Sequence, residues 1–256
     1  MKAYEFKNKV LEFPTSIDEL TPEQYVYYIV LASMLAGGSC TLEQWRARWF
    51  SYLAGMKRSN YTILRPEYIR QAEGILHEIT DRFLTSLKGK TSPRFDTCRN
   101  LLPEINGYKG PADWLSGLKF GKFVQCATLT GQIAPGRNDS TAYEEIARVL
   151  YSIPEADPVP PVLTWHAPIL FNNVCHAIES APIDINGRML DLSIIFKGSG
   201  KRTADDKTGW TGISFEVAAA GVFGNVHQLE EADFWAVLLY LYKCKFEYIH
   251  DKSNKP

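Results

Sequence analysis

Apolar side chains recur at helical spacing over most of the chain, which predicts a mainly α-helical protein. From residue 69 to residue 83 they lie on one face of a helix that Pro66 begins and that we expect to reach about residue 87. Thr21 and Thr41 are each followed three residues later by a glutamine, the pattern of a capping box at a helix start. We expect the helix after Thr21 to end near Gly37. Further helices are predicted at 120–130, 141–151, 165–180, 213–220 and 230–249. The predicted fold class is therefore a helical, bundle-like body.

Two short β elements are predicted beside the helices. Asn186-Gly187 stands between alternating apolar residues at 183–185 and 189–192, which is the strongest short-range signal for a β-hairpin in this chain. Residues 194–196 are expected to extend its second strand. Residues 3–13 alternate loosely around a polar turn, which predicts a short N-terminal hairpin.

A proline-rich connection divides the chain at residues 153–162. Prolines at 154, 158, 160 and 161 oppose both regular helix and regular sheet and favour extended backbone. We therefore expect a helical N-terminal part at 1–152 and a C-terminal helical part with the hairpin at 163–256. The two parts could equally pack as one domain.

The charge balance argues against a general nucleic-acid-binding protein. The formal net charge is −1, whereas proteins that hold a duplex usually carry a basic excess. The longest uncharged apolar run, 25–36, is shorter than the roughly 20 residues that cross a bilayer. The N-terminus lacks the pattern of a signal peptide. We accordingly expect a soluble, cytoplasmic protein without a membrane partner.

The cysteine pattern points to free thiols. The five cysteines are widely spaced and contain no Cys-x-x-Cys pair, so neither a disulfide framework nor a zinc ribbon is predicted. Buried thiols in a reducing compartment fit the pattern best.

The glycine-rich segment at 197–201 follows an apolar stretch, the position that a phosphate loop would occupy. The loop needs a glycine where Ile195 stands and a serine or threonine where Arg202 stands, so both requirements fail. A solvated extension of the hairpin is the simpler interpretation. Lys201 and Arg202 are then candidate contacts for an acidic partner.

The remaining polar pairs do not make a catalytic or metal site in sequence. Cys175 and His176 are adjacent and cannot both point inward, and His166 is ten residues from His176 and lies too far along the helix to share an ion with it. We expect a core cysteine beside a partly exposed histidine. Neighbours on a helix face apart, so Glu144-Glu145 is a poor acid–base pair and more simply complements its helix dipole. A second acidic pair, at 205–206, falls in a polar loop. No catalytic residue, cofactor or metal is predicted, although distant residues could still assemble a site.

Aromatic and basic residues alternate at 45–49, a mixture that can bind nucleic acid. Trp45 and Trp49 are four residues apart and share one helix face, with Arg46 and Arg48 off that face. Core tryptophans beside solvated arginines are the favoured interpretation.

The last helix carries a wide apolar stripe, which predicts burial in the core or against a partner. Its residues alternate four- and three-residue spacing. The candidate partner-binding residues are Trp235, Leu239, Tyr242 and Phe246, together with Lys201 and Arg202.

Three segments resemble an uncharacterised family of phage and prophage proteins. They are 20–25 (LTPEQY), 110–123 (GPADWLSGLKFGKF) and 209–225 (GWTGISFEVAAAGVFGN), the last followed by a long aromatic helix. Genes of this family lie in tail modules near the tape-measure gene. The resemblance implies a tail-morphogenesis protein that works in the host cytoplasm or remains with the virion. The resemblance assigns no catalytic residues to this chain.

Three functions therefore stand as expectations. The leading one is a non-enzymatic assembly factor, similar to a tail assembly chaperone, that binds a tail protein such as the tape measure through apolar surfaces. The alternatives are a structural subunit of the finished tail and a small enzyme whose site is not visible in sequence. The sequence leaves the oligomeric state open.

Overall fold

The computed structural model describes residues 1–6, 9–56, 66–133, 140–196 and 209–253. The described residues are mainly α-helical with small two-stranded antiparallel sheets, which confirms the predicted fold class. The chain divides into two compact units, Met1–Thr97 and Cys98–Pro256. The proline-rich connection predicted at 153–162 lies inside the second unit. Residues 153–160 join two packed helices, but Pro161 and Val162 form the first turn of the second of these helices, because proline is tolerated at the first helical position. Within the described residues, no helix has both the length and the apolar character needed to cross a bilayer.

The first unit combines three helices with two hairpins. In chain order the elements are β1 (Lys2–Phe6), β2 (Lys9–Phe13), α1 (Pro22–Ala36), α2 (Leu42–Leu53), α3 (Pro66–Thr80), β3 (Leu84–Leu87) and β4 (Lys90–Pro93). β1 pairs with β2, so the predicted N-terminal hairpin is confirmed, and β3 pairs with β4. The turn between β1 and β2 lies outside the described residues.

Capping boxes start α1 and α2 as predicted. The Thr21 hydroxyl accepts a hydrogen bond from the Gln24 amide at 3.3 Å, and the Gln24 side chain accepts one from the Thr21 amide at 3.0 Å. Thr41 and Gln44 repeat this arrangement at 3.2 and 3.1 Å. Each box satisfies two amides that the first helical turn would otherwise leave without partners.

Aromatic side chains form the core of the first unit. Tyr28, Trp45 and Trp49 are fully buried, which confirms the two tryptophans as core residues. The Tyr28 ring lies 5.2 Å from that of Trp49 and 5.9 Å from that of Phe83, centroid to centroid. Its hydroxyl lies 2.9 Å from the carbonyl of Phe83 and 2.7 Å from that of Arg94, and its single proton serves these two acceptors. One tyrosine thus ties α1 to both ends of the β3–β4 hairpin.

Arg46 corrects the expectation of solvated arginines on α2, because only 8% of it is exposed. Its guanidinium donates to the Thr80 hydroxyl at 3.0 Å and forms an ion pair with Asp81. A buried guanidinium needs such partners, and they come from the end of α3.

The helix predicted from Pro66 to residue 87 is too long by two turns. α3 ends at Thr80, and a short 3-10 helix, Asp81–Phe83, leads into β3. The turn that closes the hairpin is Lys88-Gly89, with φ values of 50° and 76°. Two consecutive positive φ values match the turns that suit the twist of a two-residue hairpin loop. Residues 90–93, which follow this turn, form β4, the second strand of the hairpin.

The second unit contains six helices among its described residues. Its elements are β5 (Glu104–Ile105), β6 (Tyr108–Lys109), α4 (Phe120–Gln132), α5 (Ser140–Tyr151), α6 (Pro161–Ser180), β7 (Ile183–Ile185), β8 (Arg188–Leu190), α7 (Gly209–Ala219), α8 (Val226–Glu230) and α9 (Phe234–Ser253). α4 and α5 confirm the predicted helices. α6 and α7 each begin four residues earlier than predicted. α9 confirms the predicted final helix, but it begins four residues later than predicted, after the short helix α8.

The Asn186-Gly187 hairpin is confirmed, with Ile185 opposite Arg188. The prediction that residues 194–196 extend its second strand is wrong. A 3-10 helix, Leu192–Ile195, stands there instead. The Asp191 carboxylate accepts a hydrogen bond from the Ser193 amide at 3.1 Å, which turns the chain out of the extended conformation.

A polar cluster is buried among the helices of the second unit. The Asn100 side-chain oxygen accepts hydrogen bonds from His166 Nε2 at 2.9 Å and from the Leu102 amide at 3.0 Å. The Tyr151 hydroxyl donates to the Leu102 carbonyl at 2.8 Å. A Cβ at Gly110 would lie 2.6 Å from the Tyr151 ring, so only glycine fits there. The cluster fixes the 100–110 segment against α5 and α6.

We predict that His166 makes the stability of the protein depend on pH. Burial lowers the pKa of His166 from 6.5 to about 3. The unfolded chain therefore binds a proton below pH 6.5 that the folded chain does not bind until about pH 3. Stability from this group is full above pH 6.5 and falls as the pH is lowered through that window. The free energy of unfolding should drop by about 2 kcal/mol between pH 7 and pH 5.

Urea denaturation at several pH values measures this effect. His166→Gln should remove that component of the pH dependence, and the matched change His176→Gln, at an exposed histidine, should leave it in place. Equal pH dependence in the wild type and His166→Gln would contradict the assignment.

Candidate protein-binding surface

A cleft of about 570 Å³ lies in the second unit where three segments meet. The segment around Trp114 forms one wall, and the end of α6 with β7 forms another. The first turns of α9 complete it, with Trp235 and Leu239 in the lining. Two of the predicted partner-binding residues therefore lie in a cleft, next to a tryptophan that the sequence analysis had not selected.

Backbone pairing fixes the start of α9. The Phe120 amide donates to the Ala232 carbonyl at 2.8 Å, and the Phe234 amide donates to the Leu118 carbonyl at 2.9 Å. These two bonds align residues 118–120 with residues 232–234 in the manner of an antiparallel bridge. The first turn of α9 is thereby attached to the start of α4.

Trp114 has an unusual backbone conformation at the edge of the cleft. Its φ is 60°, and that of Leu115 is 56°, a region that non-glycine residues adopt at a cost of roughly 1–3 kcal/mol each. Leu115 is fully buried, and the Trp114 amide donates to the Cys98 carbonyl at 2.8 Å. The Trp114 carbonyl accepts a hydrogen bond from the Trp235 indole at 2.9 Å. Burial and these bonds hold the strained segment in place and leave the Trp114 side chain 36% exposed.

An aromatic cluster holds the other face of α9. Phe234, Val237 and Leu238 are fully buried. The Phe234 ring stacks on that of Phe123 with centroids 4.2 Å apart, and Trp210 of α7 meets Phe123 edge-on at 4.8 Å. The buried face of α9 is therefore rotated away from the stripe that the sequence analysis had selected.

The second half of α9 is largely exposed. Phe246 is 52% exposed and Ile249 is 44% exposed, whereas Tyr242 is half-buried. The rings of Tyr242 and Phe246 stack with centroids 5.9 Å apart. Burial of the last helix in the core is therefore confirmed only for the first half of α9. Trp235, Leu239, Tyr242 and Phe246 follow one face from the cleft toward the end of the helix, and their role in binding stays a prediction.

Several residues that the sequence analysis discussed lie outside the described residues. They are the candidate partner contacts Lys201 and Arg202, the glycine-rich segment 197–201 and the acidic pair at 205–206.

Burial changes the chemistry of two cysteines in the second unit. Burial raises the pKa of both the Cys126 and the Cys175 thiol to about 12, which opposes formation of the reactive thiolate. His176 is exposed beside Cys175, as predicted. All five cysteines lie in the described part of the chain, and none of them is in a disulfide. Within the same part, no group of three or more His, Cys, Asp or Glu side chains is placed to hold a metal ion.

Glu144 and Glu145 occupy a different position from the one expected. α5 begins at Ser140, which places both glutamates in the second turn rather than at the helix start. Glu145 instead faces Arg148 at 3.6 Å, an i,i+3 ion pair.

Two other clefts lie among the described residues. A cleft of about 270 Å³ between α5 and α6 is lined by Tyr143, Glu144 and Trp165, and it carries a single charged side chain. In the first unit, a cleft of about 590 Å³ between α1 and α2 is lined by Tyr27, Met34 and Tyr52, together with Arg48. The cleft in the first unit also has the exposed Val30 and Tyr52 in its lining, whereas the lining of the cleft beside α9 contains two of the predicted partner-binding residues.

Comparisons with protein-family models, with curated proteins and with solved structures find no match to this chain.

We predict that the Trp235 indole contributes measurably to stability. Trp235→Phe keeps an aromatic ring but removes the donor to the Trp114 carbonyl, and a hydrogen bond of this kind contributes about 1 kcal/mol. Thermal or urea unfolding should show a loss of that size. Trp165→Phe is the matched control, since the Trp165 indole has no hydrogen-bond partner among the described residues. Equal losses in the two variants would contradict the role of this bond.

Proposed function

We propose that this chain is a non-enzymatic protein-binding factor of phage or prophage tail assembly. The observation that supports it most is the continuous apolar face that leaves the Trp114–Trp235 cleft and ends at the exposed ring of Phe246. An exposed aromatic residue on a long helix favours docking of another protein chain. The tail context comes from the three segments that resemble a family of tail-module proteins.

The surroundings of the reactive side chains also favour binding over catalysis. A general base works best with a pKa near neutral pH, and burial holds the pKa of His166 at about 3. The Cys126 and Cys175 thiols are shifted in the direction that makes nucleophilic attack less favourable. The pKa shifts of these three groups therefore support recognition through the exposed face of α9 over catalysis.

The tape-measure protein is the proposed client, since its gene lies near those of the family that the chain resembles. Co-expression of the affinity-tagged full chain with this protein should yield a complex. Deletion of the gene should reduce tail yield or alter tail length, and the wild-type gene supplied in trans should restore both. Failure to co-purify, together with unchanged tails after deletion, would contradict the proposal.

Mass spectrometry of purified particles separates an assembly factor from a component of the tail. The proposal expects the chain in assembly intermediates and not in finished particles. Its stoichiometric presence in finished particles would overturn the role as an assembly factor in favour of a structural subunit.

A further inference from the structure

We infer that the face of α9 docks an acidic amphipathic helix of a partner protein, with the Trp114–Trp235 cleft as the anchoring pocket. This inference rests on the proposed protein-binding function and specifies the chemistry of the partner. It depends on the spacing of the apolar residues, on the charges that flank them and on the cleft at one end.

The apolar residues of this face have the spacing of a coiled-coil seam. Trp235, Leu239, Tyr242, Phe246 and Ile249 alternate steps of four and three, which keeps them on one side of the helix. At a rise of about 1.5 Å per residue the face is about 21 Å long, a length that matches about four turns of a partner helix. The buried face of α9, with Phe234 and Val237, is occupied by the core. Phe246 is 52% exposed and Tyr242 is half-buried, so a partner can reach this part of the seam without displacing the buried face.

The positions on either side of the exposed part of the seam are basic. Lys243 follows Tyr242, and Lys245 precedes Phe246, so the two lysines occupy opposite flanks of the seam. Charges at such flanking positions select the partner and its orientation in coiled coils. The negative residues of this half, Glu247 and Asp251, lie on the other side of the helix. Lys243 also faces Glu247 at 3.8 Å, but both side chains are exposed, and pairs of this kind contribute little.

The lysines beside the seam also make a second copy of the chain a poor partner for this face of α9. In an antiparallel pair each flank of the seam meets the same flank of the other helix, so lysine would face lysine. In a parallel pair Lys245 would meet the His250 position of the other copy, which carries no negative charge. Like charges across a helical interface are unfavourable, whereas glutamate or aspartate at the partner's flanking positions would complement both lysines.

A phosphate-rich surface fits this half of α9 less well than an acidic helix does. The three lysines at 243, 245 and 252 exceed the two acidic residues Glu247 and Asp251 by only one charge, and the whole chain carries a net charge of −1. Binding to nucleic acid or to an anionic membrane depends on a summed positive charge. Recognition of a helix depends instead on the order of charges beside the seam, which is the feature present here.

The cleft completes the docking surface at its other end. Its lining includes Ile183 and Ile185 of the hairpin together with Trp114, Trp235 and Leu239, and a volume of about 570 Å³ accommodates large apolar side chains. Aromatic side chains that a partner buries at an interface often contribute a large share of the affinity. The partner helix is therefore expected to place a large aliphatic or aromatic residue in the cleft and acidic residues beside Tyr242 and Phe246.

Designed peptides test the chemistry directly. Two peptides of about three heptads share leucine at the seam positions and carry either glutamate or lysine at the flanking positions. Fluorescence anisotropy with the full-length chain should show at least about tenfold tighter binding of the glutamate peptide, since 1.4 kcal/mol corresponds to a factor of ten. The difference should shrink as the salt concentration rises.

Variants of the chain locate the interaction. Phe246→Ala should weaken binding of the glutamate peptide by at least about tenfold. Phe215→Ala, at a phenylalanine that is 60% exposed on α7, is the matched control and should not change it. Lys243→Glu with Lys245→Glu should reverse the peptide preference. Lys88→Glu with Lys90→Glu, the same charge change on the β3–β4 hairpin, should preserve it.

Four outcomes would overturn the inference. They are equal binding of both peptides, binding of neither peptide, association of the chain with itself that Phe246→Ala abolishes, and binding to anionic lipid vesicles or single-stranded DNA that depends on Phe246. Each leaves the proposed function open to its own test, because co-purification with a tail protein does not require an acidic helix. A complex with a tail protein that survives both Phe246→Ala and the double lysine change would support the proposed function while contradicting the inference about an acidic helix.

Discussion

The backbone pairing between residues 118–120 and 232–234 is the constraint on which the second unit depends. Two hydrogen bonds, from Phe120 to Ala232 and from Phe234 to Leu118, set where α9 begins and which way it faces. The stack of Phe234 on Phe123 then buries one side of the first two turns. Val237 and Leu238 are also fully buried, so the core takes the first half of α9, whereas the Phe246 half is largely exposed.

The strained backbone segment lies at the edge of the proposed binding surface. The left-handed backbone at Trp114 and Leu115 is unfavourable by itself, and it persists because Leu115 is fully buried and the Trp114 carbonyl accepts the Trp235 indole. This arrangement turns the Trp114 ring toward the cleft instead of the core. A cleft between two tryptophans, continued by a helix face, is the kind of surface that another helix can occupy.

Local signals in the sequence predicted much of the fold, because they act within a few residues. Thr21, Thr41 and the Asn186-Gly187 turn define helix starts and a hairpin through contacts three residues away or closer. Long-range contacts could not be predicted in this way. The burial of Arg46 depends on Asp81, 35 residues later, and the role of Trp114 depends on Trp235, 121 residues later. Lys88 and Trp114 also adopt positive φ values. Such values are uncommon for residues other than glycine, so the residue type does not predict them.

The central claim is that α9 is held by its first half and presents its second half for binding. Native-state hydrogen exchange of the free, full-length chain measures this division directly, because each amide reports the free energy of its local opening. The account predicts slow exchange for the amides of residues 238–241, close to the limit set by global unfolding. It also predicts exchange faster by at least about tenfold for the amides of residues 247–252. Equally slow exchange along the whole of α9 would contradict it.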